Sequence, residues 1–246
     1  MAYLRDLPQR CDKSLSGNDE TRWHVLPDQR ALVTAVSERI LGSAGNAING
    51  HGVFRIVLAG GTTPEAVYRR LAEATTDWSC WQIFFGDERC LPTGHAERNS
   101  VMASERWLQR VALPAENIHV IPAETGAEAA AQAYVPVIEQ ARPFDMVLLG
   151  MGEDGHTASL FPGQRHAADE LVHAVHDAPK PPPDRVSLGM AALNAAAEVL
   201  VMVSGAGKHA AVQRWKRGDD LPVARIHGQT GVDVYIDKEA DTGVTA

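Results

Sequence analysis

The sequence has few cysteines and no long apolar run. Its three cysteines, Cys11, Cys80 and Cys90, are odd in number and form no C-x-x-C pair, which argues against a disulfide framework or a structural zinc site. Nowhere do about 18 apolar residues follow one another, and the first residues lack the apolar core of a signal peptide. We therefore expect a cytoplasmic protein that has no membrane partner.

Positive charge is also scarce. The chain has 23 Lys and Arg against 31 Asp and Glu, a formal net charge of −8. Nucleic-acid backbones are bound by clusters of cations, and no such cluster runs along this chain, so we expect no nucleic-acid partner. A small anionic substrate is still compatible with this charge, because a few well-placed cations and helix N-termini can hold one.

What the chain does have is a regular alternation of strand and helix patterns over 246 residues. Apolar runs predict strands at 23–26, 53–59, 83–86, 118–121, 145–149 and 199–203. Helical spacing predicts helices at 29–44, 64–74, 100–109, 127–140, 191–196 and from 208. This alternation predicts a single-domain α/β fold, a modified doubly wound (Rossmann-like) parallel sheet with helices on both faces. We expect a flexible N-terminal arm (1–22), one domain (23–238) and a C-terminal tail (239–246).

The most informative segment is the glycine-rich turn that follows the apolar run at 145–149 and contains Asp154 and His156. Ligands of open α/β sheets bind beyond the carboxyl ends of such strands. A histidine there can accept a proton near neutral pH, and a nearby carboxylate can orient its ring. Most of the ten histidines will be surface or structural residues, but packing gives little reason for one on this turn.

Two nucleotide-binding patterns are matched only in part. Residues 150–155 fit G-x-G-x-x-G, but Glu153 and Asp154 would repel a pyrophosphate, and Pro162 ends any helix too early. The loop at 204–208 resembles a P-loop, yet Met202 and His209 stand where that motif needs Gly and Ser or Thr. We also find no G-x-S-x-G or H-E-x-x-H motif, so we expect no nicotinamide or flavin cofactor, no metal and no serine nucleophile.

Two loops have the character of phosphate sites. Gly60-Gly61-Thr62-Thr63-Pro64 follows a strand, with Thr63 suited to cap the next helix and Pro64 to begin it. Gly205-Ala206-Gly207-Lys208 joins a glycine turn to a lysine at a helix start. Each alone is compatible with an ordinary strand-to-helix turn, but two of them favour a phosphorylated ligand. Asp87-Glu88-Arg89, just past a strand, is either a paired surface loop or a cation and carboxylate at the rim of a cleft.

Together these segments resemble the 6-phosphogluconolactonase family, with the motifs in family order from about residue 26 to 237. The resemblance rests on Gly60-Gly61-Thr62-Thr63-Pro64, Asp87-Glu88-Arg89 with Asn99, the block 154–163, Arg185-Val186-Ser187-Leu188 and Gly205-Ala206-Gly207-Lys208. It implies a sugar-phosphate isomerase-like fold. It also implies hydrolysis of 6-phospho-D-glucono-1,5-lactone to 6-phosphogluconate, the second step of the oxidative pentose phosphate pathway, without a cofactor.

The resemblance further implies roles for particular residues. His156 would be the general base, Asp154 would orient it, and Arg89 would hold substrate and stabilise the oxyanion. The residues implied to bind substrate or its phosphate are Gly60, Gly61, Thr62, Thr63, Asp87, Asn99, Gly155, Arg185 and Lys208. The partners would be the lactone and its product, and the oligomeric state, monomer or homodimer, is left open.

Two other functions compete with lactone hydrolysis. Glucosamine-6-phosphate deaminases resemble this chain, but they have a tyrosine where it has Arg89 and a glutamate where it has Phe161. Without that carboxylate, proton transfer between sugar carbons is less well supported. A sugar-phosphate-binding module without turnover is the second competitor, and intact Asp154, His156 and Arg89 argue against it. The chain departs from the common family pattern at Ala59 and Arg98.

Overall fold

The structure is a computed structural model that describes residues 21–165 and 167–244. Seven strands form the central sheet: β1 (Thr21–Leu26), β2 (Phe54–Leu58), β3 (Trp81–Phe85), β5 (Ile118–His119), β6 (Met146–Gly150), β9 (Glu198–Val203) and β10 (Val232–Asp237). They lie in the order β1-β10-β9-β6-β2-β3-β5, and every neighbouring pair is parallel. The predicted parallel α/β fold is therefore confirmed.

Helices connect these strands and cover the sheet. The α-helices are α1 (Gln29–His51), α2 (Thr62–Leu71), α3 (Asn99–Arg106), α4 (Ala127–Ala141), α5 (Met190–Leu193), α6 (His209–Lys216) and α7 (Lys238–Thr242). The central strands β2, β3, β6 and β9 are almost wholly buried, as expected when both faces of a parallel sheet are covered. No helix within the described ranges is both long enough and apolar enough to cross a membrane.

A second, antiparallel sheet was not expected from the sequence. It consists of β4 (Asp87–Arg89), β8 (Arg185–Leu188) and β7 (Val172–Val175) in that order. Its register sets Arg89 opposite Arg185, which brings together two cations that are far apart in the chain. Strands of three or four residues are too short to show a periodic pattern, so residues 87–89 were expected to form a loop.

Several predicted boundaries are wrong. Helix α1 continues through Gly42 and Gly45, where it was expected to end, and stops at Gly52 (φ +84°), whose N–H donates to the carbonyl of Ile48. Residues 239–242 of the expected tail belong to α7, which the Asp237 side chain caps. At the other end, Thr21 and Arg22 of the expected arm belong to β1, and residues 1–20 lie outside the described range.

Candidate active site

A cleft of about 280 Å³ lies at the carboxyl ends of β2, β3 and β6. This is where ligands bind in open α/β sheets. Many of the predicted site residues line it, and they come from loops that are distant in sequence: Gly60, Gly61, Asp87, Arg89, Asn99, His156, Arg185 and Lys208. The other four, Thr62, Thr63, Asp154 and Gly155, do not line the cleft.

His156 and Asp154 form a hydrogen-bonded pair on the turn after β6. Asp154 Oδ1 lies 2.5 Å from His156 Nδ1 and also accepts from the backbone N–H of His156 at 3.1 Å. A carboxylate accepts hydrogen bonds, so the pair places the ring proton on Nδ1. Nε2 of His156 then keeps its lone pair and has no hydrogen-bond partner among residues 21–165 and 167–244.

The pKa values of this pair favour a neutral base next to a charged carboxylate. Burial lowers the pKa of His156, and the neighbouring Asp154 carboxylate opposes this only in part. Burial acts to raise the pKa of Asp154, but the hydrogen bond from the His156 backbone and the attraction of its ring outweigh it and lower the pKa. His156 is therefore unprotonated at neutral pH, as a general base must be.

Gly152 makes room for this pair. A Cβ atom on Gly152 would lie 2.1 Å from His156 Nδ1 and 2.6 Å from Asp154 Oδ1, so any other residue would displace both side chains. Gly155 has a different role, because its φ of +89° allows the chain to turn. A Cβ atom on Gly155 would also lie 2.8 Å from the Leu221 side chain. Gly155 shapes the turn without reaching the cleft.

Phe161 is buried next to the catalytic candidates. Its ring centroid lies 4.6 Å from that of His156, and the guanidinium carbon of Arg185 lies 5.6 Å from the same ring. The position at which deaminases would have a carboxylate is thus an apolar contact for both residues.

A chain of buried polar contacts joins the segments on the other side of the cleft. Asn99 Nδ2 donates to the carbonyl and to Oδ1 of Asp87, at 2.9 and 3.0 Å, and Ser159 Oγ donates to Asp87 Oδ2 at 2.6 Å. A Cβ on Gly60 would lie 2.1 Å from Asn99 Oδ1. The Asp87 carboxylate is therefore held in place, and glycine at position 60 is required by Asn99.

Glu88 has a structural role that the sequence did not reveal. Its side chain is fully buried and accepts from the backbone N–H groups of Arg89, Asn99 and Ser100 at 2.7–2.9 Å. Arg98, which is 3% exposed, lies 3.5 Å from it and pairs with Glu124 at 2.8 Å. The Glu88 carboxylate thereby fixes the start of α3 and the backbone of Arg89.

Cations dominate the cleft although the whole chain is acidic. Arg185 is 5% exposed and donates to the carbonyls of Lys180, Pro181 and Pro182. Its Nη1 makes no hydrogen bond in the described residues. Lys208 has no ion pair within the same part of the chain, and burial lowers its pKa while Glu153 opposes that shift.

Lys180 lines the cleft as well but was not predicted as a site residue. It directly precedes Pro181-Pro182-Pro183, and a cation held by such a stiff proline run is the signal that could have found it. Among the described residues that line the cleft, four are cations, Arg89, Lys180, Arg185 and Lys208, and one, Asp87, is a carboxylate. Lys180 also pairs at 3.7 Å with Glu153, which does not line the cleft. This arrangement suits an anionic ligand.

The predicted cap of α2 is wrong. Gly61 is the N-cap, with a φ of +106° and no side-chain cap hydrogen bond, and Thr62 is already the first helical residue. Thr63 is buried inside the first turn. Gly61 takes the cap position because it can adopt the positive φ that the close turn after β2 requires. The backbone of Gly60 and Gly61 therefore faces the cleft in place of the threonine hydroxyls.

Neither Ser159 nor Cys90 is suited to covalent catalysis. Ser159 is fully buried and its hydroxyl donates to Asp87. Burial and the nearby Asp184 raise the pKa of Cys90 to about 11, which keeps its thiol protonated at neutral pH. In residues 21–165 and 167–244, no group of three or more His, Cys, Asp or Glu side chains is placed to hold a metal ion.

Comparison with known proteins places the chain in a family. The model of the glucosamine-6-phosphate isomerases/6-phosphogluconolactonase family matches residues 27–235. A 6-phosphogluconolactonase of Mycobacterium tuberculosis is 36% identical over 235 residues, which cover 88% of this chain and 95% of that protein. Probable 6-phosphogluconolactonase 3, chloroplastic, of rice is 36% identical over 214 residues, and the match spans 65% of its length and 77% of this chain.

The fold is also that of solved members. The crystal structure of 6-phosphogluconolactonase from Thermotoga maritima superposes with a TM-score of 0.84 at 30% identity, over 89% of this chain and all of the other. The family match covers the cleft, the turn that holds His156 and the central sheet apart from β1 and the last two residues of β10. The chain therefore belongs to the glucosamine-6-phosphate isomerase/6-phosphogluconolactonase family.

Proposed function

We propose that this chain hydrolyses 6-phospho-D-glucono-1,5-lactone to 6-phospho-D-gluconate, the second step of the oxidative pentose phosphate pathway. The observation that carries the proposal is the pairing, in one cleft, of a neutral imidazole with a cluster of cations. His156 is held through Nδ1 by Asp154, and Arg185 and Lys208 line the same cleft. The curated relatives named above support the same substrate.

The reaction begins with proton removal from water. Nε2 of His156 takes a proton from a water molecule, whose oxygen bonds to the lactone carbonyl carbon. Charge develops on the carbonyl oxygen, and Arg89, which lines the cleft, would stabilise this charge. The ester C–O bond then breaks, and the ring oxygen leaves with the proton that His156 had taken. The Asp154 carboxylate stabilises the charged imidazole between the two steps.

The phosphate is held at the other end of the substrate. Arg185 presents Nη1, while its other nitrogens are fixed by the loop at 180–182. Lys208 adds a second charge, and the backbone of Gly60 and Gly61 lies against the same cleft. Anions bind well to such combinations of guanidinium, ammonium and backbone N–H groups at a helix start. Holding the phosphate here positions the lactone carbonyl near His156.

Aldose–ketose isomerisation or deamination has less support. Such chemistry needs a base at the sugar carbon. At position 161, where deaminases have a glutamate, this chain has Phe161, whose side chain is apolar. The nearest carboxylates to His156 already serve other partners, since Asp154 binds its ring and Asp87 binds Asn99 and Ser159.

A coupled assay tests the proposed function. Freshly generated 6-phosphogluconolactone is mixed with the protein, and a downstream dehydrogenase reports the 6-phosphogluconate formed above spontaneous opening. We expect acceleration that rises in proportion to protein concentration. Ammonia release from glucosamine 6-phosphate would instead support the deaminase. Tight binding of 6-phosphogluconate with no acceleration would identify a binding module and contradict lactone hydrolysis.

The pH dependence of the reaction follows from the lowered pKa of His156. Only the unprotonated ring can act as base, so a lowered pKa extends activity to lower pH. We expect the midpoint of the decline in kcat/KM at low pH to lie below 6.5, the ordinary pKa of histidine. Rates are measured from about pH 5 to 8 with spontaneous opening subtracted. A decline centred above pH 6.5 would contradict this prediction.

In Asp154→Asn, whose remaining activity is small, the decline should move to still lower pH, because the carboxylate no longer raises the pKa of His156.

A further inference from the structure

Tyr68 is a fully buried tyrosine of α2 whose hydroxyl contacts Ala59 at the wall of the cleft. The backbone N–H of Ala59 donates to Tyr68 Oη at 3.0 Å, and Tyr68 Oη donates to the carbonyl of Ala59 at 2.7 Å. Burial raises the pKa of Tyr68, so the hydroxyl stays neutral and can donate and accept at once. A single hydroxyl thus binds both backbone groups of one residue.

Ala59 occupies the point where the chain leaves the sheet. Strand β2 ends at Leu58, and the next residues, Gly60 and Gly61, line the cleft. Ala59 is itself buried, at 8% exposure. A buried backbone N–H or C=O group without a hydrogen-bond partner lowers the stability of the fold. The Tyr68 hydroxyl therefore supplies there the hydrogen bonds that the sheet no longer gives.

The two glycines depend on this contact for their position. Glycine has no side chain that could anchor it, and its backbone is the most flexible of all residues. On the far side, Asn99 fills the space above Gly60, but it contacts no backbone group of Ala59. We propose that Tyr68 is a positioning residue, which holds the backbone of Gly60 and Gly61 in the conformation that binds the substrate phosphate. This inference rests on the proposed function, which places the phosphate at that loop.

The ring of Tyr68 allows a clean test, because it packs independently of the hydroxyl. It stacks on Trp107 with centroids 5.6 Å apart, so Tyr68→Phe keeps the packing and removes only the two hydrogen bonds. Tyr134 offers a matched control. It is equally buried, and its hydroxyl also binds two backbone groups, accepting from the N–H of Phe85 at 3.2 Å and donating to the carbonyl of His119 at 2.8 Å. Tyr134→Phe therefore loses the same kind of bonds away from the glycines.

Binding and kinetics of both variants are compared with the parent protein. For Tyr68→Phe we expect the Kd of 6-phosphogluconate, measured by titration calorimetry, and the KM of the phosphorylated lactone each to rise about tenfold. Its kcat should stay within about twofold, because the catalytic pair is untouched. Turnover of unphosphorylated D-glucono-1,5-lactone should not change. Tyr134→Phe should leave all these constants at parent values while shifting the urea midpoint by a similar amount.

Each other outcome has a distinct meaning. An unchanged Kd in Tyr68→Phe, or an equal rise in Tyr134→Phe, would overturn the positioning role. A purely structural effect would lower kcat for both lactones alike by reducing the active fraction, and this too would overturn it. If the parent protein binds 6-phosphogluconate but does not open the lactone, the proposed function fails while the Kd comparison still decides the role of Tyr68.

Discussion

Replacing His156 with asparagine should lower kcat for the proposed lactone hydrolysis by about a thousandfold, the middle of the range for loss of a general base. Asparagine can still donate a hydrogen bond to Asp154 from a position close to that of Nδ1, so the turn keeps its shape. It has no nitrogen that can accept a proton at neutral pH. The loss should fall on kcat with little change in KM, because the phosphate contacts remain. The coupled assay measures both constants.

His51 provides the matched control for this substitution. It is also paired with a carboxylate, with Nε2 2.9 Å from Asp145 Oδ1, but it lies at the end of α1 and does not line the cleft. His51→Asn should keep full activity. Hydrolysis at the parent rate by folded His156→Asn would remove His156 from the role of base and would leave Arg89 and the bound phosphate to explain any acceleration.

The second large effect concerns stability. Replacing Arg98 with methionine should destabilise the protein by about 3 kcal/mol, because it leaves the buried charge of Glu88 without its cation. Arg98 is 3% exposed and Glu88 is fully buried, and the pair lies 3.5 Å apart. Methionine fills much of the volume of the arginine stem, so lost charge pairing accounts for most of the effect. Urea unfolding followed by fluorescence gives the change in free energy.

An exposed ion pair provides the comparison for the effect of burial on the stability lost when an ion pair is broken. Arg69 pairs with Glu65 at 2.6 Å across one helical turn, with 56% of its side chain exposed. Arg69→Met should cost about 0.5 kcal/mol or less. A double variant, Arg98→Met with Glu88→Gln, should recover part of the loss because no buried charge is left unpaired. Equal effects of the Arg98 and Arg69 substitutions would show that the charge of Glu88 is met by its backbone hydrogen bonds alone.

The sequence predicted the features that depend on local pattern. The alternation of helix and strand was enough for a parallel sheet, and Asp154 and His156, only two residues apart, had to lie on one turn. The loop of Gly60 and Gly61 could likewise be placed at a strand end. These features need only the period of the strand and the known site of ligands in such sheets.

What the sequence could not reveal depends on distant partners. Arg89 and Arg185 become neighbours only through the pairing of β4 with β8, and no local pattern predicts a three-residue strand. The cap of α2 was assigned to Thr63 on residue preference, whereas the positive φ of Gly61 decided it. The hydrogen bonds between Tyr68 and Ala59 could not be predicted either, because a tyrosine on the inner face of a helix has the same sequence pattern as any other core residue.

The way the cleft is assembled bears on how the protein acquires activity during folding. Its walls come from six stretches between residues 58 and 208, and β4 meets β8 across a long intervening chain. Contacts of such high sequence separation form late, because closing large loops costs entropy before the contacts are gained. Native fluorescence from the clustered tryptophans 78, 81 and 107, which lie within one short span, can then return before catalysis does. Recovery of the proposed turnover is thus the stricter measure of refolding for this protein.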